Sequence, residues 1–570
     1  MYSKYFIVLY FVFILCETVI SQEHYSFQIV GAYTDRFKKL ENKTFKSKED
    51  LEKAVEKVHY KQIKKGFVLA SIDSLVWDHQ VGYLYYYLGP RFSRLEVNVS
   101  PEDAYLVRKI PRLSEKQLRN APFKPEEIAV LLDGIVDYLQ NNGYPFAAVK
   151  LNVQNLDPEN AVADLIIKRG NEVSISEINI KGESQINKNF ITNFLAIKEG
   201  DLYSEDRMRK ISQRINQLNF IEEIKSHEVL FTEEGAALYL YLNSSPVSLV
   251  NGVLGLQPNP VTGENVITGD IRLKLQNGLK KGELLDINWR SLQPSTQDLK
   301  THLNYPFLFN TPFGVDAKFD LYRRDSTFMT TLFDLGVQYF MRGGNYLKVF
   351  FEAEGSNPLS AAGAAPSNLP NTNFSAVNSN RYGIGIFRRQ LDYLPNPSKG
   401  FFIEIDGLVG RRSSRPLGFD SSQVSTTYAL RLDAEVFLPL ARRHVRRIAN
   451  QTRYYYADKI FVNELNRFGG LTSQRGFDEE ELFASSRSTF SIEYRFLADR
   501  NSHAFAFFDQ SLYENRSDTY YRDFPYGIGA GFSFGTNLGI FSISYAVGKQ
   551  FDNPILLRNG KVHFGYVSYF

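Results

Sequence analysis

From residue 246 onward helical periodicity stops, and segments of roughly ten residues follow one another, alternating apolar with polar side chains. About sixteen can be read: 247–257, 266–275, 283–292, 296–306, 314–323, 328–342, 346–354, 381–390, 401–410, 425–439, 446–461, 488–497, 504–513, 526–534, 540–549 and 561–570. Successive side chains of a strand point to opposite faces, so each segment has one apolar and one polar side. Along 488–496, Phe490, Ile492, Tyr494 and Phe496 share one face, and Ser491, Glu493 and Arg495 share the other. Phe541, Ile543 and Tyr545 alternate with Ser542 and Ser544 in the same way. A soluble sandwich alternates too, so the links between strands carry the decision. Short, turn-like links at 396–400, 498–503 and 535–539 contrast with long ones at 355–380, 411–424, 462–487 and 514–525. Short turns on one side, long loops on the other and an even count predict a transmembrane antiparallel β-barrel over 246–570. The Ser, Ala, Asn and Pro-rich stretch 356–378 then reads as a flexible surface loop.

The remaining composition agrees with that assignment. After the first residues no apolar stretch approaches the ~20 residues a membrane helix requires. The chain carries 45 Phe and 34 Tyr but 2 Trp, and its net charge of +3 makes no case for nucleic acid as a partner. Residues 1–21 read as a secretory signal, with Lys4, an apolar run over 5–15, and Ser21 ahead of Gln22. Cys16 is the single cysteine, and Leu15 occupies the place where lipidation requires a small residue. The mature chain is therefore expected to hold no disulfide and no cysteine-bound metal.

The first half is a repeat. Gly66-Phe67, Gly143-Tyr144 and Asn219-Phe220 each close a helix, with aromatics 77 and 76 residues apart. Gly or Asn at such a position is expected to supply the left-handed residue that ends the helix. The first helix starts at a capping-box-like Ser47 and carries Leu51, Val55 and Val58 on one stripe. The second has Pro125 in its first turn and Ile128, Leu132, Ile135 and Leu139 on one face. The third is expected to run from an N-cap at Ser204 through Met208, Ile211 and Ile215 to Leu218. Strand-like stretches at 148–154, 163–168, 173–180 and 237–242 flank them. The boundaries are 22–95, 96–171 and 172–245. Unrelated α+β modules with separate binding roles are the alternative reading.

Between the eleventh and twelfth strands lies Asn466-Arg467-Phe468-Gly469-Gly470-Leu471-Thr472-Ser473-Gln474-Arg475-Gly476-Phe477-Asp478. This stretch resembles the long-loop motif of the BamA/TamA-type outer-membrane assembly family, in which the loop folds back into the barrel. The stretches 526–532 and 538–545 and the closing 561–570 match as well. The repeats resemble POTRA modules, periplasmic domains that receive other chains at a sheet edge. The fold expected is thus three N-terminal α+β POTRA-like repeats followed by a barrel of about sixteen strands, with the repeats in the periplasm. By the resemblance, Gly469, Gly470, Arg475, Gly476 and Phe477 form the lumenal loop motif, and Arg475 is anchored by Glu493 and Asp509. Simple alternation puts Phe505 and Phe507 on the face of Asp509, which a bulge or aromatic packing in the lumen would reconcile. His563, Gly565, Ser568 and Phe570 resemble a C-terminal β-signal of outer-membrane proteins, from which Ser568 departs. Gly252 and Gly255 in the first strand suit a weakly packed seam.

No catalytic constellation is present in the sequence, and no cofactor, metal or enzyme activity is expected. The resemblance implies an outer-membrane factor that inserts or exports unfolded client proteins without ATP. Sheet edges in the repeats would template strands, and a barrel seam would open into the lipid bilayer. Three modules resemble the TamA-like branch, which implies an inner-membrane-anchored TamB-like partner. Two alternatives stay open: a two-partner-secretion-type transporter for one dedicated substrate, and a passive pore or surface-binding barrel. The former usually carries two modules and an N-terminal plug helix, and none is evident before residue 40.

Overall fold

The structure is a computed structural model that describes residues 25–31, 37, 40, 41, 43–110, 118, 121–157, 161–245, 247–258, 265–293, 296–324, 327–359, 374–416, 421–536 and 539–567. The signal segment with Cys16, most of the 356–378 loop, Ser568 and Phe570 lie outside the described residues. The chain divides into two compact units, Met1–Val173 with Leu202–Glu205, and Ser174–Asp201 with Asp206–Phe570.

The first unit holds two repeats. The first consists of β1 (Ser26–Gly31), α1 (Lys48–Lys64), β2 (Ser71–Asp78) and β3 (Val81–Tyr87), in the sheet order β1-β3-β2 with β1 parallel to β3. Ser47 Oγ accepts from the Asp50 N–H at 3.1 Å and starts α1, whose Leu51 and Val55 are buried against Phe27, Leu84 and Tyr86. His59 Nδ1 lies 3.2 Å from the Tyr86 hydroxyl, and burial pushes that phenol up to about 12. The second repeat runs β4 (Arg94–Asn98), α2 (Pro101–Lys109), β5 (Ala121–Pro122), α3 (Pro125–Gln140), β6 (Ala148–Leu156) and β7 (Ala161–Lys168), in the order β5-β4-β7-β6 with β4 parallel to β7. Gly66 and Gly143 close α1 and α3 with φ of +98° and +95°, which a side chain would strain.

The third repeat belongs to the second unit. It comprises β8 (Ile175–Lys181), α4 (Lys188–Leu195), α5 (Glu205–Arg209), α6 (Ile211–Ile215), β9 (Ile221–Thr232) and β10 (Gly235–Ser244), in the order β8-β10-β9. Two expectations fail here. The helix predicted over 204–218 is broken at Lys210, and Asn219 does not take a left-handed conformation. Tight i→i−3 bonds close it instead, from the Gln217 N–H to the Arg214 carbonyl at 3.0 Å and from Leu218 to Ile215 at 2.8 Å.

Below this repeat the chain forms one antiparallel sheet of seventeen strands in sequence order, apart from a hairpin described below. These are β11 (Leu249–Pro258), β12 (Asn265–Gln276), β13 (Leu284–Gln293), β14 (Thr296–Tyr305), β15 (Phe313–Arg324), β16 (Phe328–Phe340), β17 (Tyr346–Pro358), β18 (Ser375–Leu391), β19 (Gly400–Pro416), β20 (Gln423–Ala441) and β21 (His444–Tyr456). After a long loop containing β22 (Asn466–Phe468) and β23 (Leu482–Ala484) come β24 (Ser486–Leu497), β25 (His503–Asn515), β26 (Tyr521–Asp523), β27 (Tyr526–Thr536), β28 (Gly539–Lys549) and β29 (Lys561–Val567). Both β26 and β27 pair with β25 and make one interrupted strand, so seventeen less one gives sixteen. Every predicted strand has its counterpart. Three are longer than expected: β18 and β19 have 17 residues and β20 has 19. A tilted strand crosses a bilayer in about 9–11 residues, so these three extend well past one. Their outer ends are rich in Ser, Asn and Arg, which hides the apolar period, yet the ladder continues through pairs such as Asn378 with Ser413. Phe490, Ile492, Tyr494 and Phe496 are exposed on the outer face, while Glu493 is buried inside.

The sheet curls around its contents. Arg431 on β20 is ion-paired with Glu352 on β17, reaching across two intervening strands, and Lys348 on β17 bonds Asp316 on β15 at 2.8 Å. Among the described residues no ladder joins β11 to β29. The third repeat sits on turns of this sheet: Phe190 lies 5.5 Å from Phe307, and the Asn187 N–H donates to the Lys280 carbonyl at 2.8 Å.

Candidate functional site

The connection between β21 and β24 enters the lumen and bonds to its walls along its whole length. Near its start Asn463 Nδ2 donates to Ser356 Oγ at 2.8 Å and to the Ser375 carbonyl at 2.9 Å, tying the loop to β17 and β18. Glu464 takes both ends of the Arg412 guanidinium, at 2.7 and 2.6 Å, on β19. Arg467 lies over the Tyr322 ring of β15 at 3.4 Å. The short β22–β23 pairing then forms a stem, packed by Phe468, Phe477, Leu482 and Ala484 against Tyr513. Phe477 thus serves the stem, while Gly469 and Gly470 make the turn with φ of +127° and +85°.

The tip carries Arg475. Its Nη1 donates to Glu493 Oε2 at 2.6 Å, its Nε and Nη2 to the two oxygens of Asp509 at 2.7 and 2.6 Å, and its Nη2 also to Ser491 Oγ at 3.0 Å. A planar fork fits this bidentate arrangement, which a lysine's single ammonium cannot reproduce. Glu493 also receives Arg495 Nε at 2.7 Å, and Arg447, opposite it in the β21–β24 register, bonds Glu435 at 2.8 Å. Three arginines and three carboxylates thus neutralise one another in a largely enclosed space, where an unpaired ion would be costly.

The ladders from β24 to β25 and from β25 to β27 run without a register shift, so no bulge reorients Asp509. Phe505 and Phe507 do face inward with it. Room for them comes from β27, where a Cβ on Gly529 or Gly531 would stand 2.7 Å from the Phe507 ring or 2.8 Å from the Phe505 ring. Phe507 in turn lies 3.4 Å beneath the Arg475 guanidinium. The loop backbone needs the same bare wall: a Cβ on Gly527 would come within 1.9 Å of the Arg475 carbonyl oxygen, and one on Gly476 within 2.8 Å of Gly548 N.

The loop also reaches the last strand. The Gly476 N–H donates to His563 Nε2 at 3.1 Å, and the Leu471 side chain covers Gly565. The C-terminal residues His563 and Gly565 therefore line the lumen against the loop. Gly252 and Gly255 lie elsewhere, in the β11–β12 ladder opposite Ile271 and Thr268. Sequence reading placed Ser491 and Arg495 on the face of Glu493 and Phe507 on that of Asp509, without giving them a part in holding Arg475. It missed Arg447 and Glu435, whose place depends on strand register. Gln474 was missed as well; its Nε2 donates to the Asp509 carbonyl at 3.2 Å. Among the described residues no group of three His, Cys, Asp or Glu side chains converges as metal ligands would.

Residues 173–243 match the family model POTRA, described as surface antigen variable number repeat. No curated protein sequence matches the chain. Among solved structures, CdiB from Escherichia coli is similar at 14% identity and TM-score 0.50, covering 90% of this chain and 96% of its own. CdiB from Acinetobacter baumannii follows at 14% identity and TM-score 0.49, covering 90% and 97%. BamA from Haemophilus ducreyi lacking POTRA domains 1–3 is similar at 14% identity and TM-score 0.42, covering 83% and 98%. The chain therefore contains a POTRA domain at residues 173–243 and shares its overall fold with CdiB from Escherichia coli.

Proposed function

We propose that this chain is an outer-membrane factor that assembles or translocates client proteins, with its repeats in the periplasm. The observation that carries the reading is the lumenal loop, whose Arg475 is held by Glu493 and Asp509 while its backbone rests on the strands next to a sheet edge that has no ladder among the described residues. An unpaired strand cannot enter hydrocarbon cheaply, so a barrel edge that pairs with it lowers the barrier without ATP. In the repeats, β2 and β9 lie at sheet edges and offer backbone donors and acceptors to an extended client segment. Three repeats support the TamA-like reading and hence a TamB-like inner-membrane partner.

Depletion in the native host tests the proposal. Broad loss of outer-membrane proteins is the expected result. Loss of one secreted protein alone would identify a dedicated two-partner-secretion-type transporter, and a change confined to small-solute permeability would overturn both readings.

A further inference from the structure

The last strand has a ladder on one side only among the described residues, seven residues long, from Lys561 to Val567 against β28. Such an edge strand should fray, since opening it breaks few bonds. Its inner face is nevertheless held. Lys561, His563 and Gly565 are alternate residues and point into the lumen, and each meets a different residue of the loop. Lys561 Nζ is 2.6 Å from Asp478 Oδ2, His563 Nε2 accepts from the Gly476 N–H at 3.1 Å, and Gly565 leaves the space that Leu471 fills. The loop residues making these contacts, 471 to 478, flank the residue clamped on the opposite side by Glu493 and Asp509.

We propose that the loop is a latch on the last strand. Arg475 fixes the loop to β24 and β25, and Leu471, Gly476 and Asp478 fix β29 to the loop, so β29 is released only when the loop lifts. Lys561 and His563 are positioning residues in this scheme. The inference rests on the reading that the β11–β29 edge opens during client handling.

Amide exchange of the purified full-length protein in lipid nanodiscs tests it directly. Asp478→Lys and Lys561→Asp should each speed exchange over 561–567 by about two- to fivefold, as expected for losing a partly exposed ion pair. His563→Ala should do so by about two- to tenfold. Arg475→Ala should speed the same segment, because the clamp and the latch act through one loop. Combining Asp478→Lys with Lys561→Asp should restore protection. Exchange over β18–β20 should stay unchanged throughout, which shows that the barrel itself is intact. Unaltered exchange over 561–567 in Asp478→Lys and His563→Ala overturns the latch, as does equal acceleration over β18–β20. This readout is independent of activity: if cross-linking the edge leaves client insertion intact, the opening reading fails while the exchange result still stands.

Discussion

Arg475 presents five donors in a rigid fork, and the surrounding wall supplies acceptors for several of them. Removing the fork leaves Glu493 and Asp509 facing one another's neighbourhood with fewer partners, a change that costs about 3–5 kcal/mol for a buried pair. Arg475→Ala is therefore expected to free the loop and abolish complementation, while the sheet still forms and the protein keeps heat-modifiable migration on gels. Arg475→Lys should recover little, because one ammonium cannot span both carboxylates. Wild-type complementation by either variant would remove the loop from the mechanism. Gly527→Ala provides an independent check at the same scale. Its new methyl would stand 1.9 Å from the Arg475 carbonyl oxygen, so it should reproduce the Arg475→Ala phenotype with every charge in place. Arg475 and Glu493 were legible because a short motif and strand parity mark them, whereas Asp509 was named only through the family resemblance, since alternation set Phe505 and Phe507 on its face. Arg447 was not, because nothing near it in sequence says that it stands opposite Glu493.

At the scale of elements, the amphipathic helices were the most legible. Leu51 and Val55 are buried at the spacing of a helix stripe, and Ser47 caps it. Leu51→Ala should destabilise the first repeat by about 2–5 kcal/mol, measured as a lower denaturant midpoint for protease resistance of the first unit in the full chain. The barrel transition should not move. The third repeat was less legible because its helix is interrupted at Lys210, a break that no proline or glycine announces. Strands β18–β20 show the complementary failure. Their outer portions lose the apolar alternation that marks a lipid-facing strand, yet neighbouring strands of equal length keep the ladder going.

For the whole molecule, the proposed function requires the sheet edge between β11 and β29 to open during client insertion. Cysteine pairs screened between Leu249–Pro258 and Lys561–Val567 should yield a disulfide that halts insertion and releases it on reduction. Full activity in the completely cross-linked protein would rule out an opening edge. The sequence by itself determined about how many strands there are, which side chains of strands such as 488–496 face outward and where the first two helices lie, because period two, period 3.6 and turn residues are properties of a few neighbouring residues. Only the tertiary structure decided what fills the lumen. Which charges meet, why β27 carries Gly527, Gly529 and Gly531 on its inner face, and why His563 touches Gly476 all depend on strands brought together from distant parts of the chain. Turn geometry and the apolar pattern set the register within each hairpin, but which side chains meet across several strands is decided only when the whole sheet has formed.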